Sequence, residues 1–294
     1  YHGWHDWYLS ANLANNDGLG QHLLPGLSAK GVPPNLEGTA IPFFYNDIHS
    51  LEQALIENHD IGVIFMEVRR NHEPRDNFLE KVKAIAVKNN IVLVFDECSS
   101  GFRETFGGLH LKYGVNPDIA MFGKALGNGY AINAVIGTRE VMEAAQDTFI
   151  SSTFWTERIG PVAALATLAE MERTQSWNVI TKLGKEMKST WENLANKFSI
   201  DIDILGLDSM ASFSFKGKHP LQYKTYLTQE MLKKGYLAST IFYASTVHTS
   251  EVIKNFGIAL MPIFATISKV ESGELDVDSL LDSDVCHSGF KRLN

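Results

Sequence analysis

The run Val92-Leu93-Val94-Phe95-Asp96-Glu97-Cys98 constrains this chain more than any other stretch. An apolar run ending in an acid is the pattern of a strand buried on both faces of a parallel sheet. Such a strand delivers its carboxylate to the C-terminal edge, where open α/β sheets place their ligands. A second apolar run, Ile119-Ala120-Met121-Phe122, leads into Gly123-Lys124-Ala125-Leu126-Gly127-Asn128-Gly129 and brings a lysine to an equivalent edge. A buried ion pair would account for one such strand end. Two of opposite charge, both rich in small residues, point to a shared ligand.

Around these runs the pattern alternates. A helix is predicted near 49–58, a strand over 61–66, a helix over 78–89 and a strand over 91–96. That is βαβ order, which implies parallel strands joined by a right-handed crossover. Strands at 119–122 and 131–137 follow, so Lys124 is expected in a hairpin-like bend where glycines let the backbone approach a ligand. Trp177, Ile180, Met187, Trp191, Leu194 and Phe198 recur at helical spacing after Ser176, a candidate N-cap, and are expected to pack. Alternation over 201–204 and 211–215 predicts half-buried strands, and a helix over 221–234 is closed by Gly235. The segment to about Gly31 is expected to be strand-end and loop. The domain plan is a large ligand-binding domain over 1–160, connecting helices over 161–198 and a small domain over 199–294.

An acid and a lysine sharing one sheet edge suit pyridoxal 5′-phosphate. That cofactor is an electron sink only while its pyridine nitrogen stays protonated, and an ionised carboxylate beside the nitrogen keeps the proton there. Asp96 is the candidate for that partner. The cofactor aldehyde is held as a Schiff base by a lysine amine that later moves the substrate's α-proton, and Lys124 is the candidate. The plainer alternatives are an exposed loop lysine and an Asp that caps the next element.

Asp96-Glu97-Cys98-Ser99-Ser100-Gly101-Phe102-Arg103, Pro117-Asp118-Ile119 leading to Gly123-Lys124-Ala125-Leu126-Gly127-Asn128-Gly129, Ser151-Ser152-Thr153-Phe154-Trp155 and Tyr1-His2-Gly3-Trp4 together carry a resemblance. The chain resembles the class III pyridoxal phosphate-dependent aminotransferases, in the glutamate-1-semialdehyde 2,1-aminomutase-like branch. The resemblance implies a fold type I α/β transferase: a mostly parallel sheet in the large domain and a smaller α/β C-terminal domain. It implies catalytic roles for Lys124 and Asp96, and cofactor contacts from Tyr1, His2, Glu67, Asp96, Cys98, Lys124 and Thr153. Tyr1 resembles the aromatic residue that stacks on the cofactor ring, with a frayed terminus as the alternative. Cys98 stands where the family has a Val on the opposite ring face, and a buried Cys packs as a small hydrophobe. Thr153 resembles the residue that reaches the partner subunit's cofactor phosphate, with a helix N-cap as the alternative. Glu67 resembles an active-site glutamate that could equally pair with Arg69 or Arg70.

Two departures accompany the resemblance. The phosphate-binding turn of the family, whose amides lie at a helix N-terminus, has no counterpart, so the chain is expected to be an amino-terminally incomplete copy that binds cofactor weakly. The segment 236–248 is shorter than the aminomutase's and lacks its loop glutamate, which favours plain transamination. The expected function is transfer of an amino group between an amino donor and a carbonyl acceptor, such as a surface-polysaccharide sugar or a semialdehyde, by a homodimer. An aminomutase and an inactive binding module are the rivals.

Composition bounds the rest. A formal charge of −8 argues against a general binder of nucleic acid or anionic membrane. Cys98 and Cys286 are too few for a disulfide framework and suit a reducing cytoplasm. No apolar run approaching a membrane span stands out. His2 and His5 lack the third ligand of a catalytic zinc site, so no metal is expected. Gly18-Leu19-Gly20 follows no strand and is not expected to bind a dinucleotide. Arg103 could bind a substrate carboxylate through its bidentate fork, or pair structurally with Glu97 or Glu104. The tail from Ser272 is acidic and ends in a basic Lys291-Arg292.

Overall fold

A computed structural model describes residues 1–15, 18–20 and 26–289; Lys291-Arg292 lies outside the described residues. The chain divides into two compact units: Tyr1–Ile61 with Pro74–Val82 and the chain end from His287, and Gly62–Glu73 with Lys83–Cys286.

The first unit contains α1 (Asp6–Ser10) and α2 (Ile48–Glu57). The short α1 stands where loop is expected. His5 caps it, its Nδ1 accepting from the Tyr8 backbone N–H at 3.3 Å, and Tyr8 and Leu9 are buried with Leu19 and Val32. Asp47 caps α2 by accepting from the N–H groups of His49 and Ser50 at 3.0 and 3.2 Å, satisfying two donors that a helix start leaves without partners. Leu19 is buried in a turn and its N–H donates to Asn12 Oδ1 at 2.8 Å.

The second unit begins with β1 (Val63–Glu67); the chain then passes through α3 (Phe78–Lys88) to β2 (Val92–Glu97). After α4 (His110–Tyr113) come β3 (Ile119–Phe122) and β4 (Ala134–Gly137), then α5 (Arg139–Glu143). The sheet order is β1-β2-β3-β4, with β1, β2 and β3 parallel and β4 antiparallel to β3. β2 is buried from Leu93 to Glu97, as a central strand of a parallel sheet should be. β4 starts later than its apolar pattern suggests because the turn continues: the Tyr130 N–H donates to the Gly127 carbonyl at 3.1 Å.

Helices α6 (Ile159–Thr174) and α7 (Ser176–Phe198) follow, then β5 (Ile202–Leu205), β6 (Met210–Phe215), α8 (Pro220–Lys233), β7 (Ile241–Tyr243) and α9 (Ser250–Glu271). The expected N-cap at Ser176 is not one. Ser176 is already helical, and the left-handed Gln175 (φ 47°) is the single residue separating α6 from α7. The stripe on α7 packs as expected: Ile180, Met187, Trp191 and Leu194 are buried against Phe213, Phe215 and Phe264 beneath the antiparallel β5-β6-β7 sheet. Gly184 lets α7 come close to the β5–β6 turn, since a Cβ there would lie 1.6 Å from the Asp208 carbonyl oxygen. That turn is also tied to the segment after β1, because Arg69 donates to the Gly206 carbonyl at 3.1 Å.

Helix α9 has no counterpart among the sequence expectations. Exposed apolar residues such as Val252 and Ile258 beside its buried face, and the internal Pro262, blur its stripe, although Thr249 caps its start by accepting from the Val252 N–H at 3.2 Å. By length and composition it could cross a membrane, contrary to the expectation that no such run exists. Its Ile253, Leu260, Ile263, Phe264 and Ile267 are buried in the same core as Trp191.

Candidate active site

Parallel pairing sets the geometry. Asp96 lies opposite Glu67 of β1 and opposite Met121 of β3, so the chain reaches Gly123 and Lys124 just beyond the C-terminal ends of the strands. Asp96 is 8% exposed, and one of its carboxylate oxygens accepts from the Cys98 N–H at 3.0 Å. Lys124 opens a 3-10 turn, with φ at +37°, a left-handed conformation that costs energy in a residue with a side chain. Its Nζ donates to Ser99 Oγ at 2.6 Å. Gly123 is required for close approach: a Cβ there would sit 2.6 Å from Asn133 Oδ1 and 3.2 Å from Cys98 Sγ. The lysine, Cys98 and the β2 carboxylate are thus gathered at one sheet edge.

Cys98 is half-buried. Burial, and after it the adjacent Asp96 carboxylate, pushes the thiol up to about 11. It therefore stays a neutral thiol beside Asp96 and Gly123. Glu67 forms an ion pair with Arg70 at 3.2 Å, whereas Arg69 pairs with Glu73 at 2.5 Å, which decides between the two alternatives. Thr153 is exposed in the turn before α6 and is not the N-cap of that helix, which begins at Ile159 after Arg158. Tyr1 and His2 belong to the first unit, where their rings meet the edge of Tyr8 at 5.5 and 6.0 Å.

Next to Asp96, Glu97 is 1% exposed and fully engaged. It accepts from the backbone N–H of His110 at 3.0 Å, meets His110 Nδ1 at 2.9 Å and accepts from Ser100 Oγ. Glu104 takes Lys112 at 2.8 Å and the Asp208 N–H at 2.7 Å. Neither acid pairs with Arg103, so the structural pairing considered for that arginine is overturned. Its Nε donates to the Ser99 carbonyl at 2.6 Å, and its guanidinium lies 5.8 Å from the Tyr243 ring centre. Ser99, His110 and Tyr243 were not singled out from sequence. Ser99 sits within the motif, but nothing in the spacing shows that its hydroxyl meets the lysine.

A parallel sheet with an acid and a lysine at its carboxyl edge, beside a small antiparallel sheet under helices, defines an α/β transferase architecture. The chain belongs to the class III aminotransferases, whose family model matches residues 70–250. It is 32% identical over 78% of its length to the 3-aminobutyryl-CoA aminotransferase of Cloacimonas acidaminovorans. It is 31% identical over 76% of its length to the glutamate-1-semialdehyde 2,1-aminomutase of Methanocaldococcus jannaschii. The chain spans about half the length of these relatives, 53% of each. Its fold matches the PLP-bound FumI protein of Sphingopyxis sp. MTA144 with a TM-score of 0.78, covering 96% of this chain and 66% of that one at 20% identity. Pyridoxal phosphate is the cofactor this family indicates, and the site fits it: a buried carboxylate on a central strand, an amine beyond the neighbouring strand, and a glycine between that strand and the amine whose missing Cβ lets Asn133 and Cys98 come close.

Proposed function

We propose that the chain carries the catalytic lysine and acid of a pyridoxal phosphate-dependent transaminase, which moves an amino group from an amino donor to a carbonyl acceptor. The observation that carries this reading is the placement of Lys124 and the buried Asp96 at the same carboxyl edge of β2 and β3. When bound, pyridoxal phosphate supplies an electron sink that lets a proton leave the carbon bearing the amine. Asp96 would lie beside the ring nitrogen and hold the proton there. Lys124 would hold the cofactor through its aldehyde, and its Nζ is the group placed to take and return the proton. Ser99 Oγ accepts from that Nζ and aims it. Cys98 fills space beside Gly123 without competing as a nucleophile. Thr153 serves the phosphate of the partner subunit in a homodimer, Glu67 joins the cofactor contacts, and the protein works in the cytoplasm. Residues 1–160 act as the cofactor domain, 161–198 as connecting helices and 199–294 as the small domain.

An aminomutase, which returns the amino group to a neighbouring carbon, is a second reading supported by the glutamate-1-semialdehyde 2,1-aminomutase relative. Product analysis separates the two: a transaminase releases a keto product from the donor, and an aminomutase releases none.

The test of the main reading is borohydride trapping. The chain mixed with pyridoxal phosphate and reduced is expected to carry the label on Lys124, and Lys124→Ala to carry none. A label on a different lysine in the unsubstituted chain ends the assignment.

A further inference from the structure

Arg103 is a guanidinium held in place without a counter-charge. Its Nε is fixed by the Ser99 carbonyl at 2.6 Å, and among the described residues neither of its terminal nitrogens has a hydrogen-bond partner and no carboxylate pairs with it. The acids nearest in sequence are engaged elsewhere, Glu97 with His110 and Ser100, and Glu104 with Lys112. A second guanidinium, Arg70, lies close enough to repel it, and Arg70 already has Glu67. Burial and this like charge lower the proton affinity of Arg103, a burden that an anion would relieve. The exposed Tyr243 ring lies against the guanidinium on the side of the small sheet. Most telling is Ser99. Its carbonyl fixes Arg103 and its hydroxyl takes Lys124 Nζ, each at 2.6 Å, so one residue sets the spacing between the free fork and the reactive amine.

We propose that Arg103 is a specificity-determining residue that binds a carboxylate of the amino donor, with its two terminal nitrogens forming the bidentate fork and Tyr243 bordering the place. The donor class is then an amino acid whose amine reaches Lys124 while its carboxylate rests on Arg103. This rests on the transaminase reading of Lys124. Guanidinium suits the task because its planar fork matches both oxygens of a carboxylate, which the point charge of a lysine does not.

The experiment uses glutarate as the probe and its uncharged diamide as the control, with binding read by ligand-observed NMR on the intact chain. Glutarate is expected to bind and the diamide not. Arg103→Gln is expected to weaken glutarate at least tenfold, and Arg103→Lys to fall between. Equal binding of glutarate and diamide, or glutarate binding unchanged in Arg103→Gln, overturns the inference. So does a change in sedimentation of Arg103→Gln without a change in glutarate binding, which would mean that a carboxylate of a second copy occupies the fork. If Arg103→Gln unfolds, Arg103→Lys and the glutarate-to-diamide comparison on the unsubstituted chain still decide. Borohydride trapping on the same samples separates the two claims. Arg103-dependent glutarate binding without a label on Lys124 defeats the transaminase reading alone, and a label on Lys124 with Arg103-independent binding defeats the arginine alone.

Discussion

β2 and β6 are both six-residue strands with neighbours on each side, yet they treat polar groups in opposite ways. β6 buries Ala211, Phe213 and Phe215 and leaves Ser212 and Ser214 half-buried, so nothing charged enters its core. β2 ends with two carboxylates, Asp96 and Glu97, both withdrawn from water. Burying an ionised carboxylate costs several kcal/mol unless partners replace its hydration. For Glu97 the replacement is complete, with three donors from His110 and Ser100. The contrast teaches that the small-sheet region is built for cohesion, whereas the end of β2 accepts an electrostatic cost to place groups at a sheet edge.

The largest expected effect lies in the cohesive region. Trp191 is 1% exposed and packs on Phe213 with ring centres 4.9 Å apart. Trp191→Ala should lower stability by about 3–5 kcal/mol, as truncation of a buried aromatic does. Urea unfolding measures it, and trapping at Lys124 should persist wherever the variant is folded. Trp191→Phe should cost much less, because the indole N–H it removes has no hydrogen-bond partner in the core. Loss of trapping in a folded Trp191→Ala protein would break the comparison.

Glu97 is where the comparison can be sharpened, since it belongs to the site strand but behaves as structure. Glu97→Ala leaves the His110 ring, its backbone N–H and Ser100 without their acceptor. Removing one partner of a buried pair costs about 3–5 kcal/mol, discounted here because His110 need not be charged. A shift of the urea midpoint is expected; an unchanged midpoint with lost activity would make Glu97 a functional group instead.

Asp96→Asn should do the reverse, slowing turnover while leaving the unfolding midpoint nearly unchanged. Loss of a charge-assisted hydrogen bond worth about 1.5–3 kcal/mol corresponds to roughly a 10- to 150-fold slower reaction. Single-turnover kinetics with a saturating amino donor read it. Full turnover in a cofactor-loaded Asp96→Asn protein would remove the electron-sink role.

The same contrast explains what was legible in the sequence. β2 could be read because a strand buried on both faces is a continuous apolar run, β3 because all four of its residues are apolar although only Ala120 and Phe122 are fully buried, and Asp96 and Lys124 because a charge stands at or just beyond the end of each. The α7 stripe was visible because only one face of that helix is buried. Helix α9 was missed although its buried Ile253, Gly257, Leu260, Phe264 and Ile267 recur at three- and four-residue spacing, because exposed apolar residues such as Val252 and Ile258 widen the pattern; packing against Trp191 and Phe213 shows which side is inward. The link between Lys124 and Ser99 was also hidden. It joins residues 25 positions apart through a turn whose path depends on the left-handed Lys124 and on the clearance at Gly123, neither of which leaves a periodic trace.

The smallest expected effect tests how closely packed the site edge is. Cys98 has its thiol pushed from 9.0 to about 11 by burial and by Asp96. Above pH 9 the unfolded chain releases this proton while the folded chain keeps it, so the unfolded state binds fewer protons and stability falls as pH rises from 9 toward 11. Below that window the thiol is protonated in both states and adds no pH dependence. Cys98→Val has no proton to lose, so its urea midpoint should decline less across the window than that of the unsubstituted chain. Background titrations common to both proteins cancel in the difference. The same shift makes the thiolate scarce in the folded protein: at pH 9 an ordinary thiol is about half ionised and this one about one per cent, so alkylation by iodoacetamide should be roughly 50-fold slower than for a free thiol. Alkylation of Cys98 at the rate of glutathione would mean that its sulfur does not pack beside Gly123 and Asp96, and the site edge would then be as open as a surface turn.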